Sequence, residues 1–247
     1  MKSSLLRKIA GYAFAIVFIV AGWWITALAV DSPALPTPIA AVEVLTANVD
    51  ALVPYFLTSA WRVVVSLLIG TLLAVPLAQA FTRSPVLDTL FAPVVYLLYP
   101  IPKVVLLPVL LALFGLADAP KIVLISLTVF FQVLVAVRDA VRSVPQSALL
   151  AIRSLGGSPW DEYKHVIVPA TLPAVFTSLR IGVGTAIAVL FIAEAMAGST
   201  GLGYYIMQSW SMVNFPRMFA GIIAMALLGI VLYAIFDIIE RSLTSWR

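Results

Sequence analysis

Three ionisable residues stand inside long apolar runs of this chain: Arg62, Lys103 and Glu194. An ionised side chain at the centre of a lipid-spanning helix costs at least ~2.5–3.5 kcal/mol on insertion scales, so it faces a cavity or a partner. The chemistry open to such residues is the handling of charge along a path, not bond cleavage. No serine, carboxylate-pair or histidine arrangement supports hydrolysis. His165 is the only histidine and cysteine is absent, so no metal site is expected. There is no GxxxxGK[ST] phosphate loop either, and ATP and Mg are expected on a partner rather than here. The other polar feature is an island from Arg138 to Pro173, bounded on both sides by oily sequence. Charge, aromatic residues and the Gly156-Gly157 pair meet there, in a segment suited to being gripped by a soluble partner.

Composition dictates what positions these residues. The 247 residues are 63% hydrophobic and 11% charged, with a mean hydropathy of +1.11. Soluble domains run near ~25% charged. The expected fold class is therefore an all-α polytopic membrane protein, because an open sheet would strand its backbone hydrogen bonds in lipid. At ~20 apolar residues per crossing, six transmembrane helices fit, at about 9–30, 56–80, 88–114, 120–137, 174–197 and 217–240. They form one domain, 1–247, with a cytoplasmic loop at 138–173. Residues 9–30 exceed the ~7–15 of a signal-peptide core and read as an uncleaved span. Pro93, Pro100, Pro102 and Pro108 break the third span, so it is expected to line a cavity. A short surface helix is expected over Ile39–Leu52.

Basic residues set the orientation. With the N-terminus inside, Lys2, Arg7, Lys8, Arg83, Arg138, Arg142, Arg153, Lys164, Arg241 and Arg247 are cytoplasmic, against Lys121 and Arg217 outside. That imbalance puts both termini and the polar island in the cytoplasm. The net charge of +4 then belongs to orienting loops and does not call for nucleic acid.

Within the island, Gln146–Leu155 reads as a helix broken by Gly156-Gly157. Ser158 caps a second helix with Pro159 in its first turn. Trp160 and Tyr163 supply aromatic anchors of the sort that dominate interfaces. This pattern resembles the EAA loop of permease subunits from ABC importers: EAA, three residues, G, nine residues, I, one residue, L-P. Leu150-Ala151-Ile152 falls at the triplet, followed by Arg153, then Gly156 at the glycine, Val166 at the apolar position and Val168-Pro169 at L-P. The triplet departs from the pattern, with Leu150 in place of the acidic residue. Leu35-Pro36-Thr37-Pro38, Ile101-Pro102-Lys103, Leu113-Phe114-Gly115-Leu116, Leu179-Arg180-Ile181-Gly182 and Ala193-Glu194 with Gly201-Leu202-Gly203 are similar to the sulfonate, taurine and nitrate branch.

The resemblance implies a type I importer (MetI-like) fold in a bacterial inner membrane, working as a homodimer. It implies a cytoplasmic ATP-binding subunit dimer on one side and an external solute-binding protein on the other. The loop would be the coupling helix, with Leu150, Ala151, Arg153, Gly156, Gly157, Trp160, Tyr163, Val166 and Pro169 in contact with, or shaping, the ATPase seat. Arg62, Lys103, Glu194 and Gly201 are candidates for the path or gate. For Glu194 an internal pair with Arg62, Lys103 or Arg180 stands beside a gate role, although Arg180 lies about four turns away on the same helix. Arg62 is expected to snorkel toward headgroups, Lys103 to face a cavity, and Arg180 to fix the loop exit. The rival is an ion-coupled carrier or channel in which Glu194 titrates.

Overall fold

The structure, a computed structural model, describes residues 2–244, with side chains from residue 10 onward. The side chains of Lys2, Arg7 and Lys8, and Arg247 altogether, lie outside the described residues. Eleven α-helices follow in order: α1 Lys2–Val30, α2 Pro38–Ala47, α3 Val49–Arg83, α4 Pro85–Leu98, α5 Leu107–Phe114, α6 Asp118–Arg142, α7 Gln146–Ser154, α8 Pro159–Glu162, α9 Val168–Ala197, α10 Leu202–Ser211 and α11 Phe215–Leu243. No strand occurs among the described residues. Five helical stretches are long and apolar enough to cross a membrane, and the bent pair α4–α5 makes a sixth if counted as one span.

Helix starts follow the local sequence. Thr37, Ser84, Ser158 and Asn214 each cap a helix that has proline in its first turn, where the missing N–H costs nothing. The short surface helix differs from expectation. It ends at Ala47, and residues 49–55 instead begin α3, which runs on through Pro54 and Pro76. α6 is longer than its expected span and reaches Arg142, while Pro159–Ala197 forms one continuous 39-residue helical stretch. A π-turn at Tyr163–Ile167 lies within that stretch.

The core is a three-helix slab. α3 packs along α6, and α6 packs along α9. Leu67 and Ala74 of α3, Val129, Val133 and Val137 of α6, and Val183, Ala186 and Leu190 of α9 fill the seams. α1 is barely covered by the rest of the chain.

The third span is a corner, not the single helix 88–114. α4 and the Lys103–Phe114 segment meet at 84°. Tyr99 to Pro102 carry no helix, so the carbonyls at the end of α4 lose their helical partners, Leu98 keeping only a long turn bond from the Ile101 N–H at 3.3 Å. Lys103 supplies them: its Nζ donates to the carbonyls of Leu98 (2.5 Å), Tyr99 (3.0 Å) and Ile101 (2.8 Å), and sits 4.5 Å from the Phe131 ring centroid. A buried ammonium thus satisfies three backbone acceptors that lipid could not. Replacing Lys103 with Met should strand them, at ~1–3 kcal/mol for an unsatisfied buried group. Thermal unfolding in detergent should then show a lower Tm for K103M; an unchanged Tm would remove this role.

Candidate functional site

The loop between α6 and α9 is a helical hairpin. α7 ends at Ser154, and the chain turns at Gly156, whose φ of +78° is a left-handed conformation that side chains disfavour. A Cβ on Gly157 would strike the side chain of Ile152, so the chain can double back closely only with glycine there. Ser158 and Asp161 form a reciprocal capping box at the start of α8. The Ser158 hydroxyl and N–H donate to Asp161, and these bonds hold its carboxyl below the usual carboxylate range. Arg153 of α7 reaches Glu162 of α8, Nε to Oε1 at 2.5 Å, and this bond, with the arginine's charge, lowers the Glu162 pKa. The two arms are therefore stapled together.

The hairpin presents an exposed face and a clamped face. Leu150, Ala151, Arg153, Gly156 and Trp160 are exposed, and so is Leu155, at 86% exposure. Sequence reasoning passed over Leu155, although a leucine one residue before a helix-ending glycine is a fair signal. Tyr163 was expected as a free anchor, but it faces inward. Its hydroxyl donates to Gln79 of α3 at 2.8 Å, and Arg83 covers its ring while donating to the Pro159 carbonyl. Val166 and Pro169 are half-buried. The second arm is thus bolted to the loop end of α3 and is continuous with α9.

At the far end of the same two helices lies a buried charge cluster. Arg62 is 1% exposed and Glu194 is fully buried. Nη1 of Arg62 donates to Glu194 Oε1 at 2.6 Å and to the Thr200 carbonyl at 2.9 Å. Nη2 donates to Asp118 Oδ1 at 2.5 Å and Thr200 Oγ1 at 2.8 Å, and Nε to Asp118 at 2.9 Å. All five donors of the guanidinium are used. Ser59 donates to the Glu194 carboxylate and accepts from the Leu202 N–H, while Gly203 N–H donates to Oε2 at 2.8 Å. Gly201 has φ +99°, and a Cβ there would collide with that carboxylate.

Arg62 is therefore not snorkelling toward headgroups, because two carboxylates in reach outweigh the pull of water. Glu194 pairs with Arg62, not with Lys103 or Arg180. Gly201 belongs to the cluster and Lys103 does not. Asp118, Ser59 and Thr200 were missed; only Asp118, at the mouth of a span, carried a visible signal. Arg180 bonds Asp237 at 2.9 Å and Glu240 at 3.1 Å, fixing α9 to α11 near the loop end.

Two cavities lie along the α6–α9 face beside the α4–α5 corner. The one nearer the loop has about 680 Å³ and includes Tyr99, Gln132, Ser143, Pro169 and Thr177 in its wall. The next has about 410 Å³, with Tyr99, Lys103, Thr128, Gln132 and Thr185. The broken span does line a cavity, although Lys103 spends its donors on backbone.

Residues 66–245 match the family described as "Binding-protein-dependent transport system inner membrane component". The chain belongs to that family. It is the membrane-spanning permease of a binding-protein-dependent ABC importer, a system that implies an ATP-binding partner and a solute-binding protein. Among its relatives, the taurine transport system permease protein TauC of Escherichia coli (strain K12) is 31% identical over 234 residues, covering 91% of this chain and 85% of that one. SsuC of Bacillus subtilis (strain 168), a permease named for aliphatic sulfonates transport, is 28% identical, covering 88% and 80%. An inward-facing structure of the MetNI methionine ABC transporter superposes with a TM-score of 0.68 at 19% identity, over 78% of this chain and 96% of that chain, and so shares the fold.

Two measurements probe the permease's clamps. Arg62→Met leaves a buried carboxylate unpaired and should cost ~3–5 kcal/mol; adding Glu194→Gln to the same chain should return part of the lost Tm. Additive losses would mean the pair is not coupled. Glu162 has its pKa lowered on folding, so its pairing with Arg153 contributes fully above the ordinary glutamate value of about 4.3 and fades as pH falls through the lower folded value. The Tm gap between wild type and Glu162→Gln should therefore be open at neutral pH and close in acid; a gap that widens in acid would contradict the sign.

Proposed function

We propose that this permease imports a small sulfonated solute of the taurine class, working as a homodimer with its termini and the 138–173 hairpin in the cytoplasm. A separate pair of ATP-binding subunits seats the hairpin and holds the ATP and Mg. An external binding protein delivers the solute. The chain itself carries no hydrolytic site.

One observation carries the coupling: the exposed hairpin is mechanically continuous with α9 and bolted to α3. A push on Leu155 and Trp160 cannot be absorbed by a floppy loop, because Arg153–Glu162 and the capping box stiffen it. It passes instead into two core helices whose far ends meet at Arg62–Glu194. Nucleotide binding would favour one tilt of these helices and nucleotide release the other, which is alternating access by differential binding to two states. The sulfonate class is supported by the taurine and aliphatic-sulfonate relatives, and the cytoplasmic hairpin by the surplus of basic residues on its side. The homodimer is supported by the two cavities, which lie open along one face of the chain where a second copy would close them. The rival, ion coupling through Glu194, is disfavoured by the locking of that carboxylate by three donors, Ser59, Arg62 and the Gly203 N–H.

The test is uptake into proteoliposomes assembled with the ATP-binding subunit and a taurine-loaded binding protein. Taurine should accumulate only with ATP. Gly156→Leu should abolish uptake while the protein still inserts, because the elbow cannot form; wild-type uptake by G156L would overturn the coupling role.

A further inference from the structure

Polar groups on the α6–α9 face fall into two sorts. Most are already spent. Thr128 donates to the Leu124 carbonyl, Ser143 to Ala140, Ser178 to Val175, and Lys103 to three carbonyls of the corner. Thr177 takes a bond from Arg180. The Tyr99 hydroxyl, the Thr185 hydroxyl and the Gln132 carboxamide have no hydrogen-bond partner among the described residues, and the first two are exposed on this chain.

Gln132 is the most telling of the three. It sits just past the middle of α6, inside a stretch of mean hydropathy 2.1, and is half-buried. It borders both cavities, as does Tyr99, and so stands at their junction. Across from it is Gly182 of α9, where an added Cβ would lie 3.5 Å from its Oε1. A carboxamide without partners at that depth is costly unless water or a solute supplies the bonds. Thr128, Ser143, Ser178 and Lys103 bond carbonyls close by in the chain, and Gln132, which borders the cavities, does not. The combined space, about 680 and 410 Å³, is of the size that holds small ligands.

We propose that Gln132, with the Tyr99 and Thr185 hydroxyls beside it, is the solute-contacting position of the membrane path, a passing site for a small solute with a sulfonate-type oxyanion head. The carboxamide offers two N–H donors and the hydroxyls one each, which suits an oxygen-rich anion. The Lys103 ammonium, its donors spent on backbone, contributes positive potential without gripping the solute, so release is not opposed by a direct ion pair. This assignment rests on the importer reading, and deepens it by naming where within the membrane the solute is recognised.

The chain has no cysteine, so Gln132→Cys creates its only thiol. The assembled transporter is exposed to 2-sulfonatoethyl methanethiosulfonate, a charged thiol reagent that itself carries an ethanesulfonate head. Residue 132 should be modified, whereas Leu72→Cys, at an exposed apolar position of α3, should not. Taurine at ten times its Kd should slow modification about tenfold, as simple occupancy requires. No modification at 132, or modification that taurine leaves unaltered, overturns the assignment. A companion measurement compares taurine with ethanesulfonate uptake: Gln132→Leu should lower both alike, since both carry the sulfonate head, and Gln132→Asn should restore both in part, whereas a loss confined to taurine would place the contact on its amine; co-purification of the ATP-binding subunit reports that each variant is folded. ATP-dependent uptake by the wild type is read separately, so loss of the importer reading would be seen there and not confused with the outcome at residue 132.

Discussion

A guanidinium sealed between helices sets the terms for this fold. Arg62 lies at a depth where water cannot solvate it, and every one of its donors must be met by protein. Meeting them draws in α3, the start of α6, the end of α9 and the turn into α10. Glu194 brings the compensating charge and is itself held by Ser59 and the Gly203 amide. The glycine at 201 follows from the same requirement, since a side chain would occupy the carboxylate's place. Removing Arg62 leaves the Glu194 carboxylate buried without its countercharge, which is strongly destabilising.

The two long helices joined by this cluster are also joined at their other ends, through Tyr163, Gln79, Arg83 and Pro159. α3 and α9 therefore form a frame pinned top and bottom, with α6 packed between them. Its exposed handle is the α7–α8 hairpin, and the cavities lie along its α6–α9 side. The stretch from the handle to the cavity walls is helical throughout, with a π-turn at Tyr163–Ile167. Such turns recur at functional positions in helices.

Much of this was legible in the residues, and the reasons for the gaps are physical. Apolar length announces a membrane helix directly, and proline density announced the broken third span. The hairpin could be read because Gly156, Ser158 and Pro159 act through local backbone chemistry. Pairings across the fold could not be read. Nothing near Arg62 in sequence says that Glu194, 132 residues away, will lie at 2.6 Å, and headgroup snorkelling was the sensible expectation for a lone arginine beside a tryptophan. The same holds for Tyr163, whose partner Gln79 is remote, and for Lys103, whose bonds depend on a corner of 84° that sequence cannot measure. Gln132 looked unremarkable in the chain. Only the packing shows that its carboxamide has been left without a partner.

The central claim is that mechanical work enters through the hairpin from a separate ATP-binding subunit. Because the chain lacks cysteine, Leu155→Cys places a single thiol at a highly exposed point of the elbow, and a short thiol-to-amine crosslinker can be applied to the assembled complex in inverted membrane vesicles. Efficient crosslinking of residue 155 to the ATP-binding subunit, altered by adding nucleotide, is the result expected. A thiol at 155 that reacts only from the outer face, or that never joins the ATP-binding subunit, would contradict it.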